Sequence, residues 1–227
     1  MTADPTAALD PAGREALRAV LDLLATERAS VSSVVDPDQA WKVHVADSLS
    51  ALEIAPLREA ERIADVGSGA GFPGLPLAVA LTSSRVDLVE SIGRKCEFIR
   101  RAISTAGIAN AEVLECRSED LARADGREAY TAVTARAVGR LSTLAELASP
   151  LLAEGGTLVA WKGKRDADEE AQMERAGDRL AMRSERILHV GPYAGSRHRH
   201  LHLIRKIGPT PSDLPRRSGL AKKRPRG

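Results

Sequence analysis

Residues 65–74 read Asp-Val-Gly-Ser-Gly-Ala-Gly-Phe-Pro-Gly. An apolar run ends in an acid, three glycines follow at alternate positions, and Pro73-Gly74 opens a helix behind them. This is a strand running into a glycine loop, the usual seat of a nucleotide-like ligand. Each of Gly67, Gly69 and Gly71 removes a Cβ where the backbone turns sharply or a ligand lies against it. A dinucleotide loop needs a third glycine at position 72, and Phe72 stands there instead. The acid, Asp65, suits a cationic ligand better than a pyrophosphate. Glu90 ends the next apolar run, 23 positions after Gly67. It can accept hydrogen bonds from two ribose hydroxyls, or simply cap the helix behind it. Ser118 and Glu119 can reach a base edge, or serve as cap and first-turn acid of a short helix. Arg136 and Lys162 end two later strands. Each is placed to hold an anion, and each can equally sit in an ion pair or a solvated turn. His198, His200 and His202 alternate and would share one face of a strand. No carboxylate or cysteine stands beside them in sequence to complete a zinc set, so no metal is expected.

The elements that carry these residues follow from hydrophobic period and punctuation. Asp10-Pro11 starts one helix, with Leu17, Val20, Leu21 and Leu24 at helical spacing. Asp36-Pro37 starts a second, with Trp41, Val45, Leu49 and Leu52 on one face. His44 and Asp47 share another face of it and can line the same cleft. Strands are expected at 62–66, 85–89, 111–114, 130–135, 156–161, 183–190 and 200–206. Helices are expected at 73–81, 93–105, 141–152 and 166–180, with Gly107 as a C-cap. Alternating β and α units of this length imply an α/β, doubly wound, mostly parallel sheet of seven strands with helices on both faces. Residues 1–60 form a helical cap, 61–208 the main domain, and 209–227 a flexible tail.

The 227 residues suffice for one such domain with an elaboration. No apolar stretch reaches the roughly 18 residues of a membrane span, and residues 1–11 lack the pattern of an export signal. Two cysteines, Cys96 and Cys116, match no metal or redox spacing. A cytoplasmic monomer without membrane partners is expected. The net charge of +2 conceals an asymmetry: residues 209–227 carry +5, the remainder −3. A cationic tail on an acidic body points to a polyanion, nucleic acid first, although a solubilising tail has the same composition.

Asp65, Gly67, Gly69 and Gly71 together resemble the loop of class I methyltransferases, which bind S-adenosylmethionine. In that fold the chemistry sits at the end of the fourth strand, here Thr134-Ala135-Arg136-Ala137. No Asn/Asp-Pro-Pro-Tyr is present to grip an exocyclic amine, and no cysteine stands there to attack a pyrimidine carbon. A guanidinium stays protonated in proteins, so an arginine there cannot be a general base. A target atom with a ready lone pair, such as guanine N7, needs neither base nor nucleophile. Arg136 would then position a phosphate, a base oxygen or the cofactor carboxylate.

Several further stretches lie in the order of one family. They are Asp36-Pro37 with His44-Val45-Ala46-Asp47-Ser48-Leu49, Glu90-Ser91 with Lys95 and Phe98, Arg136-Ala137, Lys162-Gly163, Arg199-His200-Leu201, Arg205-Lys206, and the ending Pro215-Arg216-Arg217-Ser218-Gly219 with Lys222-Lys223. Together they resemble the bacterial small-subunit ribosomal RNA guanine-N7 methyltransferases, the glucose-inhibited division protein B family, over roughly residues 15–226. The resemblance implies cofactor contacts at Gly67, Phe72, Ser118, Glu119 and Arg136. It implies a guanine in the single-stranded decoding-region loop of 16S ribosomal RNA, in the 30S subunit or its precursor. Lys162, Arg199, His200, Arg216, Arg217, Lys222 and Lys223 are the expected RNA contacts. One departure is Ser30-Val31-Ser32-Ser33, where the family often has Asn-Leu-Thr; an RNA contact made there would be altered. Two other readings stay open: a nucleotide-dependent oxidoreductase, and a non-catalytic RNA-binding assembly factor with a relic pocket.

Overall fold

The computed structural model describes residues 4–27 and 31–226. Asp10 caps α1 (Pro11–Thr26), its carboxylate accepting the Gly13 N–H at 2.7 Å, with Pro11 in the first turn. Leu17, Val20, Leu21 and Leu24 are buried along one stripe of α1. The second helix is not continuous. α2 (Pro37–Ala40) passes into a π turn (Trp41–Ala46), then α3 (Asp47–Leu49), a 3-10 turn (Ser50–Glu53) and α4 (Ala55–Arg58).

The main domain follows as β1 (Arg62–Val66), α5 (Gly74–Ala80), β2 (Arg85–Glu90), α6 (Gly93–Ala106), β3 (Ala111–Glu115), α7 (Ser118–Leu121) and β4 (Tyr130–Arg136). It continues through α8 (Leu141–Ala148), β5 (Leu152–Lys162), α9 (Ala167–Leu180), β6 (Met182–His189) and β7 (His200–Lys206), and ends with α10 (Leu220–Lys223). The described strands form one sheet in the order β3-β2-β1-β4-β5-β7-β6. β7 runs antiparallel to both neighbours, and the other pairs are parallel.

Alternate strand residues feed two cores. Ile63, Val159 and Trp161 pack with α1, α5, α6 and the cap, while Ala64, Leu158 and Ala160 pack with α8 and α9. A sheet covered on both faces explains why the strands read as nearly continuous apolar runs. The order reverses between β1 and β4, and such a switch point opens a crevice at the carboxyl ends of the strands. No helix among the described residues is long and apolar enough to cross a membrane.

The expectation of a free tail is corrected. Residues 209–226 fold back onto α7 and α8, and Leu214 and Ala221 are buried. Arg216 makes a two-pronged contact with the buried Glu146 of α8, with Nη2 donating to Oε2 at 2.6 Å. The charge count alone could not reveal this, because the matching acid lies in another element.

Candidate active site

β1 delivers the chain into the glycine loop. Gly67, Gly69 and Gly71 all take positive φ, at +69°, +63° and +89°. A Cβ on Gly67 would stand 2.7 Å from Val138 Cγ2, so only glycine fits that turn against the β4 loop. The loop is braced from below by Asp65. Its carboxylate accepts the Thr134 hydroxyl at 2.9 Å and the Gly74 N–H at 3.1 Å. Asp65 is fully buried, and desolvation pushes its pKa up to about 6 against those hydrogen bonds. It therefore shapes the loop and does not face the crevice, contrary to the expected direct contact with a cationic ligand. Glu90 braces it from the side: the Gly69 N–H donates to Oε2 at 3.0 Å, and the Ser91 and Ile92 N–H groups donate to Oε1 at 2.8 and 3.0 Å. A carboxylate offers about four acceptor positions. Three are taken by backbone, so Glu90 has room for one hydroxyl rather than the expected two.

Between these loops lies a cavity of about 490 Å³, within the usual range for small-molecule sites. Gly67, Glu90, Ser118 and Glu119 line it, as do Lys222 and Lys223 of the returning tail. Its apolar walls include Ile92, Val138 and Leu147, which sequence reading passed over because nothing in their types marks a wall. Cys116 also lines it, and burial pushes its thiol up, away from the thiolate. Ala137, another lining residue, holds φ +59°, a conformation that non-glycine residues seldom adopt.

Arg136, one residue before Ala137, faces the other way, into the cap. Its Nη1 donates to the Val43 carbonyl at 3.0 Å and to Asp47 Oδ2 at 3.1 Å, and its Nη2 donates to His44 Nδ1 at 3.2 Å. The guanidinium also lies 5.8 Å from the Phe72 ring centre. Phe72 stacks on His44 with centroids 4.6 Å apart. Arg199 joins from β7's approach, its Nε 3.4 Å from Asp47 Oδ1 and its Nη2 donating to Tyr193 Oη at 3.1 Å. The π turn presents the Val43 carbonyl and His44, and Asp47 opens α3 directly behind it; such turns recur at functional sites. Arg136 can only donate, so His44 Nδ1 accepts and Nε2 carries the proton toward Ser32 Oγ and the Val34 carbonyl. Burial, and then Arg136, lower the His44 pKa to about 4. Burial raises that of Asp47, opposed by the two arginines. Two guanidiniums around one carboxylate, with a neutral imidazole, leave this cluster cationic.

The expected residues thus divide. Gly67, Glu90, Ser118 and Glu119 meet at the cavity. Phe72, Arg136 and Arg199 meet in the cap cluster, and Gly69 and Gly71 only shape the loop. Lys162 is not a free phosphate contact: its Nζ donates to Glu169 Oε1 at 2.7 Å and to the Gly139 carbonyl at 3.1 Å. His200 Nδ1 donates to the Gly163 carbonyl at 2.7 Å. His200 and His202 alternate on one face of β7, but His198 lies before the strand, so the expected set of three is not continued along it. Among the described residues no three His, Cys, Asp or Glu side chains gather as a metal site. Arg216 is spent on Glu146, whereas Arg217 is exposed. Ser30 lies outside the described residues. A larger hollow of about 660 Å³, lined by Trp41, Lys42, His189 and Tyr193, contains no residue of the glycine loop.

A family model described as rRNA small subunit methyltransferase G (GidB) matches residues 15–201. The chain is 44% identical over 184 residues to the ribosomal RNA small subunit methyltransferase G of Pelotomaculum thermopropionicum, covering 80% of this chain and 77% of that one. It is 41% identical to the protein of the same name from Rubrobacter xylanophilus, over 96% of this chain and 88% of that one. Among solved structures, a SAM-dependent O-methyltransferase from Thermotoga maritima superposes with a TM-score of 0.59 at 14% identity, covering 83% of this chain and 71% of that one. Aeropyrum pernix fibrillarin with natively bound S-adenosyl-L-methionine gives 0.55 at 14% identity, covering 70% and 72%. At these identities the structural likeness establishes the class I methyltransferase fold and no more. The sequence matches establish the rest: the chain belongs to the rRNA small subunit methyltransferase G family.

Proposed function

We propose that this protein transfers a methyl group from S-adenosylmethionine to N7 of a guanine in the decoding-region loop of 16S ribosomal RNA, acting as a cytoplasmic monomer on the 30S subunit or its precursor. The observation that carries the reading is a cavity at the switch point built by Gly67, Glu90, Ser118 and Glu119, beside the cationic cap cluster at the end of β4. Its donor set fits the cofactor. Glu90 keeps one acceptor position for a ribose hydroxyl, Ser118 and Glu119 offer polar atoms for a base edge, and Ile92, Val138 and Leu147 supply apolar walls.

When bound, S-adenosylmethionine supplies an electrophilic methyl on a sulfonium. The chain's own residues then need only bind, orient and exclude water, and positioning of this kind is worth about 7–11 kcal/mol. The side chains at hand agree with that requirement. The Cys116 thiol is held away from its nucleophilic form, and the His44 nitrogen that could accept a proton is occupied by Arg136. Arg136 and Arg199, held by Asp47, offer positive charge to RNA phosphate. An unpaired loop base can be splayed out and stacked, as proteins commonly read RNA. Exposed Arg117, Arg140 and Lys164 follow β3, β4 and β5 around the same rim.

An oxidoreductase reading has no support from the family, and a purely structural role leaves the built cavity without purpose. Incubating the protein with labelled methyl donor and either free 16S RNA or 30S particles tests the proposal. N7-methylguanine in the decoding loop is expected; RNA binding without transfer would favour the assembly-factor reading.

A further inference from the structure

The tail does more than return to the body. Gly219 donates its N–H to Glu119 Oε1 at 2.6 Å, and Glu119 Oε2 accepts the Ser118 hydroxyl at 3.3 Å. Glu119 thus belongs to the cavity and is at once the acceptor that holds the tail. Further anchors keep the tail there. Arg216 grips Glu146 of α8, Ser218 Oγ donates to Asp120 Oδ1 at 2.9 Å, and Thr143 Oγ1 donates to the Ala221 carbonyl at 3.4 Å. Arg123 Nη2 also donates to the Arg216 carbonyl at 2.7 Å. These contacts set Gly219, Lys222 and Lys223 into the cavity wall, with the two lysines exposed at its mouth.

We propose that residues 214–226 are a built part of the methyl-donor site, with Gly219 as a positioning residue acting through Glu119 and with the Arg216–Glu146 pair as its hinge pin. The proposal rests on the cavity being the S-adenosylmethionine site. With the segment detached, Glu119 loses its amide partner and the cavity loses one wall. A bound adenosyl ligand would then be less enclosed than small-molecule sites require. Donor binding and tail docking are therefore coupled, and by linkage each strengthens the other.

Two variants test this. Truncation after Arg216 keeps Glu146 paired while removing the wall. Gly219→Pro keeps every side chain but removes the donated N–H and forbids the observed φ of +79°. Calorimetry with S-adenosylmethionine, using the full chain as reference, should show at least about fivefold weaker binding in both variants, the low end of ordinary coupling. Thermal unfolding without ligand reports whether the variants are folded. Tryptic cleavage of the full chain after Lys222 and Lys223 should slow by a similar factor when the donor is added, a readout that needs no variant to fold. Unchanged affinity in folded variants, or cleavage indifferent to the donor, overturns the proposal while leaving the donor site standing. Absence of donor binding by the full chain overturns both.

Discussion

At the residue scale, half-buried His44 and buried Asp65 pull the pH dependence in opposite directions. The His44 pKa falls from 6.5 to about 4 on folding, because burial and Arg136 disfavour the imidazolium. Between those values the unfolded chain binds the extra proton, so stability held above pH 6.5 is lost as pH falls toward 4. The full shift corresponds to about 3 kcal/mol. Asp65 acts the other way, since its pKa rises from 3.8 to about 6 and its neutral form is favoured by folding. Stability from Asp65 is present below pH 3.8 and is lost as pH rises toward 6. In the wild type these two slopes oppose each other between pH 4 and 6. Asp65→Asn should expose the His44 slope and steepen the acid loss, as read from denaturation midpoints across that window; a variant profile no steeper than the wild type's would contradict the His44 assignment. Gly67 gives a second test. Gly67→Val places a branched side chain where one Cβ already meets Val138 at 2.7 Å, and at a φ such residues avoid. Calorimetry should find donor binding reduced by at least about tenfold, or about 1.4 kcal/mol; retained affinity would remove the glycine loop from the site.

At the element scale, the Arg216–Glu146 pair fixes where the chain ends. Glu146 is 3% exposed, so Arg216→Ala leaves a buried carboxylate without its partner. That should cost about 3–5 kcal/mol in chemical denaturation, and replacing both residues by apolar ones should recover most of it. A loss below about 1 kcal/mol would instead mark the pair as a surface contact. Elements themselves were largely legible. β1 and β7 fall on the residues their apolar runs and flanking signals indicate, and Gly107 ends α6 with φ +63°. The misreadings have local causes. The helix expected to reach Leu152 stops at Ala148: Ser149 keeps helical φ and ψ, but Pro150 has no N–H to continue the ladder, and Leu152 opens β5 instead. The π turn at Trp41–Ala46 leaves no mark in a hydrophobic period read over single turns. Partner identity was the least legible feature. Arg136 finds Asp47 across 89 positions and Arg216 finds Glu146 across 70. A sequence read element by element displays the charges but not which ones cancel.

At the scale of the whole molecule, the cationic asymmetry is redistributed rather than removed. Arg216 is neutralised against α8, while Arg117, Arg140 and Lys164 on the rim and Arg217, Lys222, Lys223 and Arg224 in the tail remain exposed. RNA affinity should therefore depend on salt through the rim as well as through the terminus. Changing Arg117, Arg140 and Lys164 together to Gln should lower the slope of log affinity against log salt by roughly two, at about 0.7 per phosphate contact on single-stranded RNA. An unchanged slope in filter binding would put the interface elsewhere. The central claim is that a cavity walled by Gly67, Glu90, Ser118 and Glu119 and a cationic cluster around Arg136 together serve methyl transfer to a guanine N7. Mass spectrometry of decoding-loop fragments tests this most directly, with ribosomes taken from cells lacking the gene and then treated with purified protein and methyl donor. We expect a guanine lacking its N7 methyl before treatment and carrying it after; a methyl already present without the gene, or appearing on any other atom, would contradict this.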